Sequence, residues 1–106
     1  MQPPSGVKAY FEADKGDDAD AWLGYFPAEA VVEDEGARYK GVDAIRAWWL
    51  AAKRKYHHVA EPIESSGAGN EVSVRAKVSG QFPNSPATLE FLFTVDNGEI
   101  VALRIG

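Results

Sequence analysis

The sequence predicts an α+β fold in which a curved antiparallel sheet wraps around a long helix, with two shorter helices before it. Three observations predict it: helical spacing of apolar residues in the first half, strand-like alternation after Lys55, and turn-forming residues between the strand-like runs. The 106 residues suffice for one hydrophobic core, so we expect a single domain over residues 1–106. A curved sheet packed over a helix forms a cone, and its open end would be a ready-made cavity.

Two helices are expected before the first strand. The first carries four residues at helical spacing, one of them acidic: Val7, Tyr10, Phe11 and Asp14. The second is short, begins after Asp18 and is closed by Pro27. Its apolar face is formed by Ala19, Trp22, Leu23 and Phe26.

The segment A-V-V-E-D, residues 30–34, predicts a short strand whose last residue is Asp34. Asp34 shares one face of this strand with Val32, and Val31 lies on the other face. Because both faces carry valine, alternation alone does not decide whether Asp34 points inward. The longest helix is expected to begin at Gly41. Its apolar stripe has the spacing i, i+3, i+4 and i+7: Ile45, Trp48, Trp49 and Ala52.

Four strand-like runs complete the chain, at residues 56–65, 71–82, 87–96 and 100–105. Apolar and polar residues alternate cleanly in the second and third runs. Asn97-Gly98 is a strong hairpin signal, and the segment S-S-G-A-G-N is expected to form another hairpin loop. We therefore expect an antiparallel meander whose apolar face is covered by the helices.

Composition excludes several functional classes. The net charge is −5, so nucleic acid is not an expected partner, and no apolar run approaches the roughly 20 residues that span a bilayer. There is no cysteine, and the adjacent pair His57 and His58 does not form a metal-ligand pattern. Only one of these two histidines can enter a pocket, since neighbours on a strand face opposite ways. We expect no metal, no cofactor, no membrane association and a cytoplasmic location.

The chain resembles the NTF2-like (SnoaL-like) superfamily over nearly its whole length. The resemblance rests on V-K-A-Y-F-E-A-D-K-G-D-D, Y-F-P-A-E-A-V-V-E-D, Y-K-G-V-D-A-I-R-A-W-W and D-N-G-E-I-V-A-L-R-I. It implies an NTF2-like cone with an apolar pocket, and a homodimer joined through the outer face of the sheet. The superfamily includes isomerases, dehydratases, epoxide hydrolases, polyketide cyclases and binding modules, so the resemblance is more informative about architecture than about activity.

Two segments are similar to ketosteroid isomerase within that superfamily. Val7-Lys8-Ala9-Tyr10 matches its V-x-x-Y context, and Val32-Glu33-Asp34 matches its V-E-D sequence. The resemblance implies that Asp34 is the catalytic base and that Tyr10 donates a hydrogen bond to the substrate oxygen. The second oxyanion donor of that family, a protonated carboxyl group, aligns with Phe91, so this chain lacks it. Loss of such a donor costs roughly 100- to 1,000-fold in rate.

We expect the pocket to bind a small apolar or carbonyl-containing molecule. The residues predicted to contact it, besides Asp34 and Tyr10, are Trp22, Phe26, Trp49, His58, Phe91 and Phe93. Three alternatives stay open: a non-catalytic ligand-binding module, a dimerisation module using the sheet face that contains Leu92, and a dehydratase- or cyclase-type lyase that pairs Asp34 with a histidine. The residues alone do not decide whether the protein is an enzyme.

Overall fold

A computed structural model describes residues 5–16 and 18–106, and of Ser5 only the backbone. The helices of this part of the chain are α1 (Ser5–Asp14), α2 (Ala19–Leu23) and α3 (Val42–Tyr56). Its strands are β1 (Val31–Asp34), β2 (Ala37–Lys40), β3 (Val59–Ala68), β4 (Glu71–Ser79), β5 (Ala87–Asp96) and β6 (Glu99–Ile105). None of the helices in these two ranges is long and apolar enough to cross a bilayer.

The strands form one six-stranded sheet in the order β2-β1-β6-β5-β4-β3. The meander of β3 to β6 is antiparallel, which confirms the predicted α+β fold. Strand β1 pairs with β2 in the antiparallel sense but with β6 in the parallel sense, so that Asp34 lies opposite Ile105. The short strand is thereby held on both sides, and its last residue has a fixed place in the sheet.

The predicted boundaries of β3 are wrong at both ends. Helix α3 ends at Tyr56 and is capped by His57, whose N–H donates a hydrogen bond to the carbonyl of Lys53 and whose left-handed conformation (φ 48°) ends the helix. At the other end the segment S-S-G-A, expected in a loop, is paired with β4, and Gly67 lies opposite Val72. The turn therefore falls on Gly69 (φ 62°) and Asn70.

The core lies between the helices and one face of the sheet. The inward residues of β4 are buried, as are Phe91 and Phe93 of β5, whereas Arg75 and Lys77 on the other face of β4 are exposed. Helices α2 and α3 meet through Trp22 and Trp49, whose rings stack at 5.0 Å with an interplanar angle of 15°. Asp18 caps α2 by accepting hydrogen bonds from the first turn, which fixes where Trp22 enters the core.

Candidate functional site

A cavity of about 420 Å³ lies between α1, α3 and the inward face of the sheet. Its walls are mainly apolar and include Trp48, Ala60, Phe82, Leu89, Phe91 and Ile105. Its polar and titratable lining residues are Tyr10, Asp14, Asp34, Glu35, Tyr56 and His58. The geometry therefore brings Tyr10 and Asp34 to one cavity, together with His58 and a second aspartate.

Asp34 reaches the cavity from the end of β1 and is half-buried. The indole N–H of Trp48 donates a hydrogen bond of 3.2 Å to its Oδ2 atom. Burial raises the pKa of Asp34 above its ordinary value, and the neighbouring charge of Glu35 raises it further. The Trp48 hydrogen bond and the electrostatic effect of His58 act in the opposite direction without cancelling the effect of burial.

Tyr10 enters the cavity from α1, and only 2% of the residue is exposed. Burial raises the pKa of its phenol well above 10.0, and the charges of Asp14 and Asp34 add to this. The indole of Trp22 lowers it, although the Trp22 N–H makes no hydrogen bond by distance and angle to any described residue. Tyr10 therefore stays protonated across the physiological range and can act as a hydrogen-bond donor.

Asp14 is a buried carboxylate in the cavity wall that we did not predict as a site residue. The indole N–H of Trp49 donates a 2.8 Å hydrogen bond to its Oδ1 atom, and the ammonium of Lys53 lies 3.6 Å from Oδ2. The signal in the sequence is a charged residue on the apolar face of α1, one turn after Tyr10. A buried carboxylate of this kind requires partners from other elements, and α3 supplies them.

Lys53 connects three elements at this end of the cavity. Its ammonium donates to the main-chain carbonyls of Asp14, at the end of α1, and of His58, just before β3; the latter hydrogen bond is 2.6 Å long. Burial lowers the pKa of Lys53, and Asp14 counteracts this. Lys53 lies behind the cavity wall and is not part of its lining.

His58, not His57, is the histidine that faces the cavity. His57 is exposed, whereas Nε2 of His58 lies 3.5 Å from Oδ1 of Asp14. The two groups form an ion pair when the imidazole is protonated. The pairing of Asp34 with a histidine is not observed as a hydrogen bond among the described residues, so the acid next to His58 is Asp14.

The aromatic residues predicted to contact a ligand divide into two groups. Phe91 lies in the cavity wall, where its neighbour Glu90 points outward and accepts a hydrogen bond from Ser73. Four others lie in the core and do not line the cavity: Trp22, Phe26, Trp49 and Phe93. Their predicted contact with a ligand is not matched by the geometry, because other aromatic rings cover them. Phe93, for example, packs 5.2 Å from Tyr10 and 5.7 Å from Phe11, measured between ring centroids.

Three further aromatic residues line the cavity and were not predicted there: Trp48, Tyr56 and Phe82. Trp48 could have been chosen from its place in the α3 stripe. The sequence predicts Tyr56 in a strand, but it is the last residue of α3; it predicts Phe82 at the end of a strand, but this residue lies in the loop after β4. Among the described residues there is no group of three or more potential metal ligands.

The sequence profile of the SnoaL-like domain matches residues 7–103. This chain belongs to the SnoaL-like family. A proposed polyketide cyclase from Sinorhizobium meliloti is 50% identical, with 100% of both chains covered and a TM-score of 0.96. A Catenulispora acidiphila protein with a ketosteroid isomerase-like fold, solved with trimethylamine, is 20% identical (TM-score 0.87, with 99% of this chain and 86% of that chain covered). A comparison with curated proteins found no match.

A second proposed polyketide cyclase, from Xanthomonas campestris, shares the fold of this SnoaL-like protein. It is 21% identical, and the alignment covers 94% of this chain and 85% of that chain with a TM-score of 0.81. At this identity the similarity concerns the fold alone. The NTF2-like architecture predicted from the sequence is confirmed by the family match and by these structures.

Proposed function

We propose that this SnoaL-like protein is an acid–base enzyme that enolises a small, mainly apolar carbonyl compound, with Asp34 as the base and Tyr10 as the hydrogen-bond donor. The observation that carries the proposal is the presence of both groups in the wall of one apolar cavity of about 420 Å³. Cavities of this size and character are typical of sites for small molecules.

The environment of Asp34 suits a base that acts on carbon. A carboxylate with an ordinary pKa is too weak a base to remove a proton from a carbon acid efficiently near neutral pH. Burial raises the pKa of Asp34, and the hydrogen bond from Trp48 holds the carboxylate in one orientation. The result is a stronger, oriented base.

The proposed reaction begins with one proton transfer. Asp34 takes the proton from the carbon next to the carbonyl group, the C–H electron pair forms a C=C bond, and the carbonyl π electrons move to oxygen. The Tyr10 hydroxyl donates a hydrogen bond to that oxygen as its negative charge develops. Asp34 then returns the proton to carbon, or the enolate attacks a second carbonyl of the same substrate, closes a ring and leaves an alkoxide that takes the proton back from Asp34.

The presence of Phe91 in the cavity wall narrows the substrate class. It is apolar and occupies the position of the second oxyanion donor of ketosteroid isomerase, so Tyr10 is the one hydrogen-bond donor that this proposal assigns to the enolate oxygen. A substrate whose C–H is already acidified by two flanking carbonyl groups needs less stabilisation. Such 1,3-dicarbonyl units occur in polyketide chains, and the name of the 50% identical relative supports the same class.

The experiment measures hydrogen exchange, which requires enolisation and no knowledge of the product. Cyclic ketones and 1,3-diketones are incubated with the protein in D₂O, and the loss of the α-proton signal is followed by ¹H NMR. We expect Asp34→Asn and Tyr10→Phe each to reduce the catalysed rate by about 100-fold or more. Glu33→Gln, one residue earlier on the opposite face of β1, is the matched control and should keep the wild-type rate. Equal rates for wild type and Asp34→Asn would contradict the proposal.

A second candidate is the elimination of water, and the pairing of His58 with Asp14 favours it. A protonated His58, 3.5 Å from Asp14, could donate a proton to a leaving hydroxyl group after Asp34 has removed the proton from carbon. This reaction predicts an ultraviolet-absorbing enone from a β-hydroxyketone. His58→Gln should abolish enone formation while leaving α-proton exchange intact; loss of both activities would not support a separate role for His58.

A homodimer joined through the outer face of the sheet is the assembly that accompanies this proposal. The half-buried Leu92 lies on that face, beside exposed Arg75 and Glu90 on the same strand pair. Light scattering of wild type and Leu92→Glu tests it: a twofold lower mass for the variant is expected. The dimerisation module would be favoured instead if the protein is a dimer without ligand and if substitutions in the cavity change the rate with no substrate.

A further inference from the structure

The charges that line the cavity are unequal in sign. Three carboxylates line it, at Asp14, Asp34 and Glu35, and no lysine or arginine does so among the described residues. Asp14 is compensated by Lys53, whose ammonium lies 3.6 Å from it behind the wall. Asp34 and Glu35 have no lysine or arginine within ion-pair distance in residues 5–16 and 18–106. The remaining titratable group that can be positive, His58, lies beside Asp14, so Asp34 and Glu35 carry negative charge that no lysine or arginine of the described chain neutralises.

The same cavity has aromatic walls. Tyr10, Trp48, Tyr56, Phe82 and Phe91 come from α1, α3, the loop after β4, and β5, so the rings surround the space from several sides. The faces of aromatic rings carry negative electrostatic potential and attract cations, and the attraction grows when water is excluded. The aromatic rings and the carboxylates therefore both favour a positively charged ligand.

The position of Asp34 supports the same conclusion. A half-buried carboxylate pays a desolvation cost that is normally offset by a charged partner. Trp48 supplies one hydrogen bond to Asp34 but no charge, the adjacent Glu35 adds a second negative charge, and the opposing effect of His58 on Asp34 is smaller than that of Glu35. A bound cation would remove this imbalance, whereas a bound carboxylate or phosphate would increase it.

We infer that the ligand of this cavity carries an ammonium group, protonated or quaternary, on an apolar body. The ammonium would lie near Glu35 at the Asp34 end of the cavity, with its methyl or methylene groups against Trp48. This inference rests on the proposed function for the position of the reacting carbon at Asp34, but the selectivity for charge is a property of binding alone. In a substrate of this kind, the cation close to the carbonyl would also stabilise the enolate that forms.

Three probes of the same shape and different charge test the inference. Choline, 3,3-dimethylbutan-1-ol and 3,3-dimethylbutanoate share a branched five-atom head and carry a positive, zero and negative charge. Their dissociation constants are measured by NMR titration at low ionic strength, with the indole N–H of Trp48 as the reporter because it bonds Asp34 in the cavity wall. The protein has three tryptophans, so the Trp48 signal is assigned by its loss in Trp48→Phe.

We expect choline to bind about tenfold more tightly than the alcohol, and the carboxylate to bind more weakly than either. Glu35→Gln and Asp34→Asn should each reduce the preference for choline. In the double variant, the dissociation constants of choline and the alcohol should differ by no more than about twofold. Glu33→Gln, whose carboxylate is 3.6 Å from Arg104 outside the cavity lining, should keep the wild-type preference.

The inference is overturned if the alcohol or the carboxylate binds as tightly as choline, or if choline causes no change in the Trp48 signal. It is also overturned if Glu33→Gln lowers the preference as much as Glu35→Gln, since the effect would then be one of net charge. A clear preference for choline in a protein that exchanges no α-protons would support the cationic ligand and count against the proposed enzyme. Exchange of α-protons without a preference for choline would support the proposed enzyme and count against the cationic ligand.

Discussion

The indole N–H of Trp48 lies 3.2 Å from Oδ2 of Asp34 and joins the middle of α3 to the end of β1. Trp48 is itself held by neighbouring rings, at 5.8 Å from Tyr39 and 6.1 Å from Trp22 between centroids. The orientation of the carboxylate is thus determined by aromatic packing within α3 and its surroundings. A change in that packing should be measurable at Asp34.

We predict that Trp48→Phe raises the pKa of Asp34 further above its ordinary value. In the wild type the hydrogen bond from Trp48 stabilises the ionised carboxylate. Its loss in the variant therefore favours the protonated form of Asp34. The measurement is an NMR titration of the ¹³C-labelled side-chain carboxyl group. Tyr39→Phe, which keeps the ring beside Trp48, is the control and should leave the titration unchanged. A lower pKa in Trp48→Phe would show that the indole does not favour the ionised form.

We predict that Asp34→Asn is more stable than the wild type near neutral pH. The pKa of Asp34 is raised in the folded state, so between 3.8 and the folded value the folded state binds more protons than the unfolded state. The free energy of unfolding of the wild type therefore falls as the pH rises through this window, and Asn removes the effect. Urea unfolding at several pH values should show a gap in the free energy of unfolding between Asp34→Asn and the wild type, and this gap should close below pH 3.8. A gap of constant size would contradict the electrostatic explanation.

We predict that Tyr10 makes the protein sensitive to alkaline pH. Its phenol has a pKa well above 10.0 when folded, so above pH 10.0 only the unfolded state loses this proton and stability falls with rising pH. The slope for one such group is about 1.4 kcal/mol per pH unit. The free energies of unfolding of wild type and Tyr10→Phe should therefore diverge by that amount per pH unit above pH 10.0. Their difference at pH 7, which reflects the lost hydroxyl group, is subtracted first. Parallel curves would mean that the phenol ionises within the folded protein.

We predict that Lys53→Met destabilises the protein by about 3 kcal/mol, because it leaves the carboxylate of Asp14 buried without its charged partner. The double variant Asp14→Asn, Lys53→Met should lose much less than the sum of the two single variants. Chemical denaturation of the four proteins of this cycle gives the coupling energy. Lys55→Met, in the same last turn of α3, is the control for loss of a positive charge near the helix end. Additive effects would show that Asp14 and Lys53 are not coupled.

The sequence was sufficient to predict the fold, and Tyr10, Asp34, His58 and Phe91 all lie in one cavity. Trp49 was predicted to contact a ligand because the helical period identifies residues that point inward. That period does not distinguish a cavity from packed core, which depends on the rings contributed by other elements. Trp49 is covered by Trp22, whereas Trp48, one position earlier, reaches the open space.

Asp14 shows a second limit of sequence reasoning. Its position on the apolar face of α1 was visible, but its hydrogen bond from Trp49 and its ion pair with Lys53 join residues far apart in the chain. The start of β3 was misplaced for a local reason: Tyr56 still belongs to α3, and His57 ends that helix in a left-handed conformation where glycine is the usual residue.

The parallel pairing of β1 with β6 has a consequence for the order of folding. Asp34 lies opposite Ile105, so its carboxylate takes its place only after two segments far apart in the sequence have met. Contacts of such long sequence separation form slowly, and hairpins such as β3–β4 can form earlier. During synthesis the segment around Asp34 can take up this pairing only after β6 has left the ribosome. A nascent chain that still lacks β6 can hold Tyr10 in a helix, but it has no defined position for Asp34, the proposed base.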